Sequence, residues 1–259
     1  MTRIYTFVNQ KGGVGKTTTA INLGAYLAQF GQRVLVVDLD PQANATSSLG
    51  ADKNAVRGGT YDALLGLLPP EALVLHNERL KLSLLPSSPA LAGAEVELVN
   101  ELARESRLKQ ALAELDGRYD YILIDCPPSL GLLTINGMVA ARDGVIIPVQ
   151  CEYLALEGLG LLTQTIQRIR SVLFPDLRVR GLVLTMFDPR TNLAADVVRE
   201  VKKHFPEQTF QTIIPRSTRL AEAPSYGLPI SVYAPSSAGA KAYELLAREV
   251  LQGDGIQVV

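Results

Sequence analysis

The sequence predicts a layered α/β fold, in which a mostly parallel, twisted sheet carries helices on both faces. The main observation is that short runs of Val, Ile and Leu recur along the chain, separated by segments with helical spacing. Runs that are apolar without alternation are typical of parallel strands covered on both sides. The second observation is a glycine-rich stretch, NQKGGVGKTTT at positions 9–19, between the first apolar run and the first helical segment. Strand, loop and helix in this order are characteristic of layered α/β folds.

Each predicted strand corresponds to one apolar run, and most are followed by a helix. We place the strands at 3–8, 33–38, 81–85, 120–125, 144–149, 180–186 and 210–214. We place the helices at 16–30, 92–100, 106–115, 133–140, 157–173, 192–204 and 238–251. Gly31 and Asp116-Gly117 are predicted to end helices, because glycine readily adopts the left-handed conformation of a C-terminal cap. Segment 50–60, GADKNAVRGGT, is predicted to be a surface loop, and residues 1–259 a single domain.

The composition predicts a soluble, cytoplasmic protein. The 259 residues are 47% hydrophobic and carry a net charge of -1. They include no apolar run of the ~18 residues that a membrane span needs. Two cysteines, Cys126 and Cys151, are too few for a disulfide framework and are expected to be reduced and buried. The near-neutral charge argues against a uniformly basic surface, so any nucleic-acid binding depends on particular residues.

The glycine-rich stretch has the features of a phosphate-binding loop. Its glycines let the backbone approach phosphate oxygens, and the amide groups at the helix start point at the anion. Lys16 is placed to reach the β and γ phosphates, and Thr17 to offer its hydroxyl to Mg²⁺. The predicted nucleotide-binding residues are Gly12, Gly13, Val14, Gly15, Lys16, Thr17 and Thr18. The fold is therefore predicted to be that of a P-loop nucleoside triphosphatase, although Gln10 stands where the general pattern has glycine and Lys11 where it specifies nothing.

Acidic residues end the second and fourth predicted strands. VVDLDPQ places Asp38 and Asp40 at the carboxyl edge of the sheet, where open α/β sheets bind ligands. These carboxylates could position water near the γ phosphate or hold the metal shell, or one could be a turn residue before Pro41. Asp40 is the favoured functional candidate. YILIDCPPS ends in Asp125, the expected place of a Walker B carboxylate that holds Mg²⁺ through water.

Several motifs resemble the ParA/Soj family of chromosome and plasmid partitioning ATPases, within the MinD/ParA group that has deviant Walker A loops. The motifs are KGGVGKT, VDLDPQ, ILIDCPPSLG, PVQCEYLALEGL, LTMFDPRTNL and IPRSTRLAEAPSYG. The resemblance extends from Ile4 to about Gly227, and LTMFDPRTNL and RLAEAPSYG are its most specific parts. It implies a Mg²⁺-dependent ATPase with weak intrinsic turnover that segregates DNA.

The resemblance also implies roles for individual residues. Two ATP-bound protomers would pack face to face, and Lys11 of each would reach the phosphates in its partner's site, so assembly would depend on the γ phosphate. A side chain at Gly12 would obstruct this dimer. Catalysis would use Lys11, Lys16 and Asp40, with Asp40 orienting the attacking water and joining the metal shell through water. Pro215 and Ser217 align with a segment that packs on adenine, and relatives often have asparagine in place of Ser217.

The resemblance further implies partners. The ATP dimer would bind double-stranded DNA without sequence preference through Arg190 and Arg219, with Arg216 as an additional contact. Such binding neutralises phosphates, and a dimer doubles the contacts. A ParB-type centromere-binding protein would stimulate hydrolysis and return the protein to the monomer. The protein would then be located in the cytoplasm on the nucleoid.

Two alternatives belong to the same superfamily. A MinD-like cell-division ATPase would bind membrane through a basic amphipathic C-terminal helix. Here Gly253 and Gly255 interrupt the end of the chain and the last lysine is Lys241, which disfavours membrane targeting. A metabolic ligase or amidotransferase would need a substrate pocket and a further catalytic cluster, whereas His76 and His204 are isolated in the sequence. A DNA-partitioning ATPase is therefore the predicted function.

Overall fold

The computed structural model describes residues 1–153 and 155–257, and one twisted sheet of eight strands runs through this part of the chain. The strands are β1 (Arg3–Phe7), β2 (Val34–Asp38), β3 (Leu75–Asn77), β4 (Leu82–Leu85), β5 (Tyr121–Asp125), β6 (Gly144–Gln150), β7 (Val179–Phe187) and β8 (Thr209–Pro215). Their order across the sheet is β3-β4-β2-β5-β1-β6-β7-β8. All neighbouring pairs are parallel except β3 and β4, which are antiparallel. The mostly parallel sheet confirms the predicted fold class.

Helices connect the strands and cover both faces of the sheet. They are α1 (Lys16–Gln29), α2 (Asn44–Ser48), α3 (Thr60–Leu65), α4 (Pro70–Leu73), α5 (Leu91–Glu97), α6 (Arg107–Ala113), α7 (Leu132–Ala140), α8 (Ala155–Val172), α9 (Asn192–His204), α10 (Thr218–Glu222), α11 (Ile230–Tyr233) and α12 (Ala238–Gly253). Short 3-10 turns lie at Leu98–Asn100, Arg104–Ser106 and Ala223–Tyr226. Each predicted helix is present, and the one predicted at 92–100 is an α-helix to Glu97 followed by a 3-10 turn.

The core has two halves, one on each face of the sheet. Alternate residues of β5 show the division, because successive strand side chains point to opposite faces. Ile122 and Ile124 pack in one apolar cluster with residues of α5 to α9. Tyr121 and Leu123 pack in the other with residues of α1 and α12. Burial on both faces explains why the central strands are apolar throughout.

The structure differs from the sequence prediction at the β3 edge and in the short helices. The three residues of β3 are all exposed, so no apolar pattern marked this strand. Segment 50–59 is a loop as predicted, and Thr60 already begins α3. Gly31 and Gly117 adopt left-handed backbone angles, with φ of 83° and 78°, as expected of helix-ending glycines.

The last helix is fixed to the sheet at its end. α12 ends at Gly253, two residues beyond the predicted end, and the carboxylate of Asp254 is only 3% exposed. It accepts hydrogen bonds from the Tyr5 hydroxyl at 2.7 Å and the Tyr121 hydroxyl at 2.8 Å, and pairs with Arg180 at 3.1 Å. Across residues 1–153 and 155–257, no helix is both long enough and apolar enough to cross a bilayer.

Candidate nucleotide-binding site

The glycine-rich loop joins β1 to α1 and is held in place from both sides. Gly13 and Gly15 have φ of 73° and 90°, in the left-handed region that favours glycine. The buried Val14 carbonyl accepts a hydrogen bond from Thr185 Oγ1 of β7 at 2.9 Å. The Asn9 side chain donates to the Pro148 carbonyl at 2.8 Å and accepts from the Lys11 amide at 3.0 Å. The loop is therefore preformed on the sheet.

Lys16 lies inside this loop. Its side chain is buried, and Nζ donates to the Lys11 carbonyl at 3.2 Å. Burial lowers the pKa of Lys16, while the nearby Asp125 carboxylate opposes this shift. A buried ammonium group favours an anionic partner, because burying an unpaired charge is costly. Lys16 is therefore placed as predicted for a phosphate ligand.

Thr17 and Asp125 form the part of the site that suits a cation. Thr17 Oγ1 donates to Asp125 Oδ2 at 2.6 Å, whereas Asp125 Oδ1 is buried without a hydrogen-bond partner. Burial raises the pKa of Asp125 well above its usual value. Asp38 lies opposite Asp125 where β2 pairs with β5, and its negative charge raises the pKa of Asp125 further. Hydroxyl and carboxylate oxygens are ligands that Mg²⁺ accepts, usually together with waters. The residues present fit Mg²⁺ held by Thr17 directly and by Asp125 through water.

The structure separates Asp38 from Asp40. The fully buried Asp38 carboxylate accepts hydrogen bonds from the Thr46 amide and hydroxyl, both at 2.7 Å, and from the Asp40 amide at 3.2 Å. Burial raises the pKa of Asp38 to about 6. Asp40 instead lines the cavity beside the loop, and its Oδ1 accepts from the Gln42 amide at 2.8 Å. Asp40 also opens the turn before Ala43, whose amide donates to the Asp40 carbonyl at 2.8 Å. Asp40 is thus both the turn residue and the carboxylate that faces the site, whereas Asp38 is held in the core.

A cavity with a volume of 330 Å³ lies over the loop. Gly12, Gly13, Gly15, Lys16, Thr17 and Thr18 line it together with Ile21, Asn22, Asp40, Asn44, Ser48, Pro128, Met186, Ala223, Pro224 and Leu228. The predicted loop residues from Gly12 to Thr18, except the buried Val14, are thus brought together with Asp40. The apolar lining from Met186, Ala223, Pro224 and Leu228 offers a surface on which a flat base can pack.

This apolar lining was not predicted from the sequence. Met186 has a left-handed backbone, with φ of 54°, near the end of β7, and only the tertiary fold brings it to the cavity. Pro215 and Ser217, predicted to contact adenine, are not among the lining residues. Pro215 ends β8 opposite Phe187, and Ser217 precedes α10. Ala223 and Pro224 belong to the motif RLAEAPSYG, which marked this segment in the sequence. The motif does not show that their side chains face the cavity.

Lys11 points away from the loop that contains it. Its Nζ lies 3.4 Å from Glu152 Oε2, and both side chains are more than 40% exposed. The same carboxylate pairs with Arg216 at 3.3 Å and accepts from Gln150 at 2.7 Å. Lys11 is not part of the cavity lining. The two lysines of the loop therefore occupy different environments.

The three arginines predicted to bind DNA each have an acidic neighbour. Arg190, 84% exposed, makes two hydrogen bonds to Asp188, at 2.9 and 2.7 Å, and lowers the pKa of that carboxyl to about 2. Arg219 pairs with Glu222 at 3.0 Å, and Arg216 with Glu152. Exposed pairs of this kind contribute little to stability, because water and salt screen them. The arginines remain available to a competing polyanion.

These features define a P-loop nucleoside triphosphatase: a preformed glycine-rich loop, a buried lysine at its end, and a hydrogen-bonded pair formed by Thr17 at the start of α1 and Asp125 at the end of β5. A family model described as an AAA domain matches residues 2–179. The chain is 53% identical to the chromosome partitioning protein ParA of Myxococcus xanthus over 252 residues, covering 97% of this chain and 89% of that one. It is 52% identical to the sporulation initiation inhibitor protein Soj of Bacillus subtilis over 250 residues, covering 96% of this chain and 98% of that one. The chain belongs to the ParA/Soj family of chromosome-partitioning ATPases.

A solved structure supports the fold assignment. The chain superposes on one described as cobyrinic acid a,c-diamide synthase from Mycobacterium smegmatis, with bound ADP and magnesium. The TM-score is 0.86 and the identity 41%, over 98% of this chain and 96% of that one. The sequence-based prediction of the P-loop fold is confirmed.

Proposed function

We propose that this chain is a DNA-partitioning ATPase whose Mg²⁺-ATP form is a face-to-face homodimer bound to double-stranded DNA without sequence preference. Residues 1–259 act as one ATPase domain in the cytoplasm, on the nucleoid. A ParB-type centromere-binding protein stimulates hydrolysis and returns the protein to the monomer. The observation that carries the proposal is the contrast between Lys16, buried in the loop, and Lys11, which points outward from it.

Each residue of the site has a distinct part in ATP hydrolysis. Lys16 and the amides of the loop bind the β and γ phosphates of ATP or ADP. Thr17 and Asp125 would hold Mg²⁺, Asp125 through water, and the bound ion would supply positive charge at the phosphate oxygens. Asp40 orients the attacking water from the cavity wall and contributes to the metal shell through water. The apolar lining with Met186 packs against the base, near the segment of Pro215 and Ser217.

Lys11 acts in the neighbouring subunit. Its exposed ion pair with Glu152 contributes only about 0–1 kcal/mol, so leaving this carboxylate for a triphosphate costs little. In the dimer, Lys11 approaches the partner's phosphates and offsets the negative charge there, as an arginine finger does. ADP lacks the γ phosphate and offers Lys11 less charge. Assembly therefore depends on the nucleotide state.

The arginines supply the DNA contacts of the dimer. Arg190 and Arg219, with Arg216, exchange exposed carboxylate partners for phosphates, a process favoured by release of counterions from DNA. Two copies of the surface in one dimer raise the apparent affinity with no new type of contact. A protein with a net charge of -1 can then bind DNA when it is dimeric.

A second candidate is an amide-forming metabolic enzyme, because the similar M. smegmatis structure is described as a diamide synthase. The partition-named relatives are more similar in sequence, at 52–53% identity compared with 41%. Cys126 and Cys151 are buried. The His76 ring hydrogen-bonds the Ser83 hydroxyl, and the His204 ring hydrogen-bonds the Glu200 carbonyl. Neither histidine is therefore paired with a cysteine in a catalytic arrangement. The partitioning ATPase is therefore the favoured function.

The test is DNA binding by the full chain, measured by fluorescence anisotropy with Mg²⁺-ATP, with ADP and without nucleotide. We expect the chain to bind DNA with Mg²⁺-ATP but not with ADP or without nucleotide, and the affinity should fall steeply as the salt concentration increases. Reversing Arg190 and Arg219 to glutamate should lower the DNA affinity at least tenfold without affecting dimerisation. The matched control reverses Arg57 and Arg79, which are also exposed, and should have a much smaller effect.

Gly12→Val separates DNA binding from nucleotide binding in the same assay. A β-carbon at Gly12 would meet only Pro128 Cβ, at 3.8 Å, so the monomer can accept a side chain there. The variant should bind ATP yet remain monomeric and lose DNA affinity. Nucleotide-independent DNA binding, or an unchanged salt titration of the arginine variant, would contradict the proposal.

A further inference from the structure

A second cavity lies at the amino-terminal edge of the sheet, the edge opposite the nucleotide site. Its volume is 960 Å³, and its lining includes Arg33 and Lys81, which directly precede β2 and β4. Helix α1 extends from one cavity to the other, because Thr17 lines the nucleotide cavity and Gln29 the second cavity. With a rise of about 1.5 Å per residue, these two positions are roughly 18 Å apart. The second cavity is therefore separate from the nucleotide site.

Two cations in the lining of the second cavity have no acidic partner in the part of the chain that the structure describes. They are Arg79 and Lys81, both exposed, in the turn between β3 and β4. Glu78 of the same turn lines a different cavity, and the described lining of the second cavity contains no Asp or Glu. The two positive charges therefore border open space that an anion can occupy.

Two further arginines of the lining already have partners. Arg33 pairs with Asp120 at 2.7 Å, and Arg118 pairs with Glu71 at 2.6 Å. Each pair is neutral as a unit, so neither arginine adds net charge to the cavity. The positive charge that remains for a ligand comes from the turn between β3 and β4.

A buried hydroxyl without a partner belongs to the same lining. Ser231 of α11 lines the second cavity, and its Oγ is buried with no hydrogen-bond partner. Buried hydroxyls in folded proteins are normally hydrogen-bonded, because an unmade bond is costly. This unsatisfied hydroxyl is an observation independent of the two cations. It indicates that a polar ligand group completes the site.

These features favour a small phosphorylated molecule as the ligand. Phosphate oxygens accept charge-assisted hydrogen bonds from Arg79 and Lys81 and an ordinary one from the Ser231 hydroxyl. Tyr119 and Val232, both half-buried in the lining, offer apolar surface on which a flat ring can pack. The volume is at the upper end of the roughly 300–1,000 Å³ typical of small-molecule sites. A DNA duplex is too thick to enter a cavity of this size.

We propose that the second cavity binds a small molecule of the nucleoside-phosphate class, at a site distinct from the ATP site. Arg79 and Lys81 neutralise its phosphates, and Ser231 Oγ donates to a phosphate oxygen. Tyr119 and Val232 pack against its base. The proposal does not depend on the proposed function, because it assumes neither DNA binding nor dimerisation.

Isothermal titration calorimetry of the full chain tests the proposal in a Lys16→Ala background, a change expected to remove nucleotide from the phosphate-binding loop. The probes are ADP, GDP and inorganic pyrophosphate. We expect one site per chain, which binds at least one of the nucleotides more tightly than pyrophosphate because pyrophosphate lacks a base. Adding Arg79→Ala with Lys81→Ala should weaken this binding roughly tenfold or more. The matched control, Arg57→Ala with Lys241→Ala, removes the same two types of charge at exposed positions elsewhere and should leave the affinity unchanged.

Titration of the otherwise wild-type chain with ADP and Mg²⁺ gives a second measurement, which remains valid if Lys16→Ala fails to fold. We expect two sites per chain, one in the phosphate-binding loop and one in the second cavity. Arg79→Ala with Lys81→Ala should reduce the number to one. A single site in the wild type would contradict the proposal.

Ser231→Ala tests the hydroxyl. The variant should bind the nucleotide about 3- to 10-fold more weakly, because one hydrogen bond to phosphate is lost. Its urea midpoint should not fall, since the hydroxyl has no partner in the free chain. A lower midpoint with unchanged nucleotide affinity would show a purely structural role and contradict the assignment.

Three results would overturn the proposal as a whole. One is the absence of probe binding to a folded Lys16→Ala chain, and another is pyrophosphate binding as tight as that of both nucleotides. The third is loss of ATP-dependent DNA binding on Arg79→Ala with Lys81→Ala, which would assign the cavity to a DNA-binding surface instead.

Discussion

Asp38 and Asp40 are two positions apart in the chain but lie in different environments. Asp38 uses both carboxylate oxygens to hold Thr46 and the turn, whereas Asp40 faces the cavity. Asp38 and Asp125 are neighbours across two central strands, and both are fully buried. The site thus concentrates negative charge that Lys16 and a divalent cation can neutralise.

The titration of Asp38 gives a prediction at the residue scale. The folded-state pKa is raised from 3.8 to about 6, mainly by burial. Between about pH 4 and pH 6 the unfolded chain has lost this proton while the folded chain keeps it, so the free energy of unfolding falls as pH rises through this window. The full effect is roughly 3 kcal/mol, from about two pKa units. Asp38→Asn lacks this titration and keeps an acceptor for Thr46.

The measurement is urea denaturation of the nucleotide-free protein at several pH values from 4 to 7. The wild type should lose stability relative to Asp38→Asn by roughly 2–3 kcal/mol over this range. Parallel profiles for the two proteins would show that Asp38 does not carry the titration. Nucleotide is left out because bound ligand would itself stabilise the folded state.

Much of the site could be predicted from the sequence at this scale. The phosphate-binding loop is a local motif whose glycines, lysine and threonine have fixed spacing, so Gly12 to Thr18 and Asp125 were identifiable. The ion pair between Lys11 and Glu152 joins positions 141 residues apart, and the contribution of Met186 depends on the packing of β7 over the loop. Such contacts arise from the tertiary fold and leave no local pattern.

At the scale of elements, side-chain contacts fix the end of α12 to three strands of the sheet. Asp254 follows this helix. Its carboxylate accepts hydrogen bonds from Tyr5 of β1 and Tyr121 of β5 and forms an ion pair with Arg180 of β7. The apolar side of α12, with Tyr243, belongs to the core cluster against α1. A helix packed in this way does not offer its apolar side to a membrane, which argues against the MinD-like alternative.

Asp254→Ala tests this anchorage. The substitution would leave the Arg180 charge and two tyrosine hydroxyls without their acceptor, and removing one partner of a buried pair typically costs about 3–5 kcal/mol. We expect a loss of this size in the free energy of unfolding, measured by chemical denaturation. Glu244→Ala, which removes only an exposed pair with Arg248, should cost no more than about 0.5 kcal/mol. Equal losses in the two variants would contradict the anchoring role.

Elements were predictable where burial imposes a pattern. The central strands are apolar throughout because helices cover both faces, and all of them were located to within a few residues. β3 was missed because its residues are exposed, and its position depends on pairing with β4. The short helices α2, α3, α4, α10 and α11 have four to six residues each, too few for a periodic pattern to show.

For the whole molecule, the central claim is that the nucleotide state controls assembly through Lys11. In the monomer, Lys11 rests on Glu152, a carboxylate that also holds Arg216. One acidic residue thus contacts both the lysine proposed for the dimer and an arginine proposed for DNA. Movement of Lys11 to a partner's phosphates would change the surroundings of Arg216 as well, and would thereby link the proposed dimerisation to the proposed DNA binding.

The most direct test is a crystal structure of the Asp40→Ala variant with Mg²⁺ and ATP, because loss of the carboxylate that we propose orients the attacking water should keep ATP intact. We predict two protomers, each with its Lys11 amine withdrawn from Glu152 and within hydrogen-bond distance of the partner's nucleotide. A single protomer, or a pair in which Lys11 still contacts Glu152 and neither nucleotide, would contradict the claim.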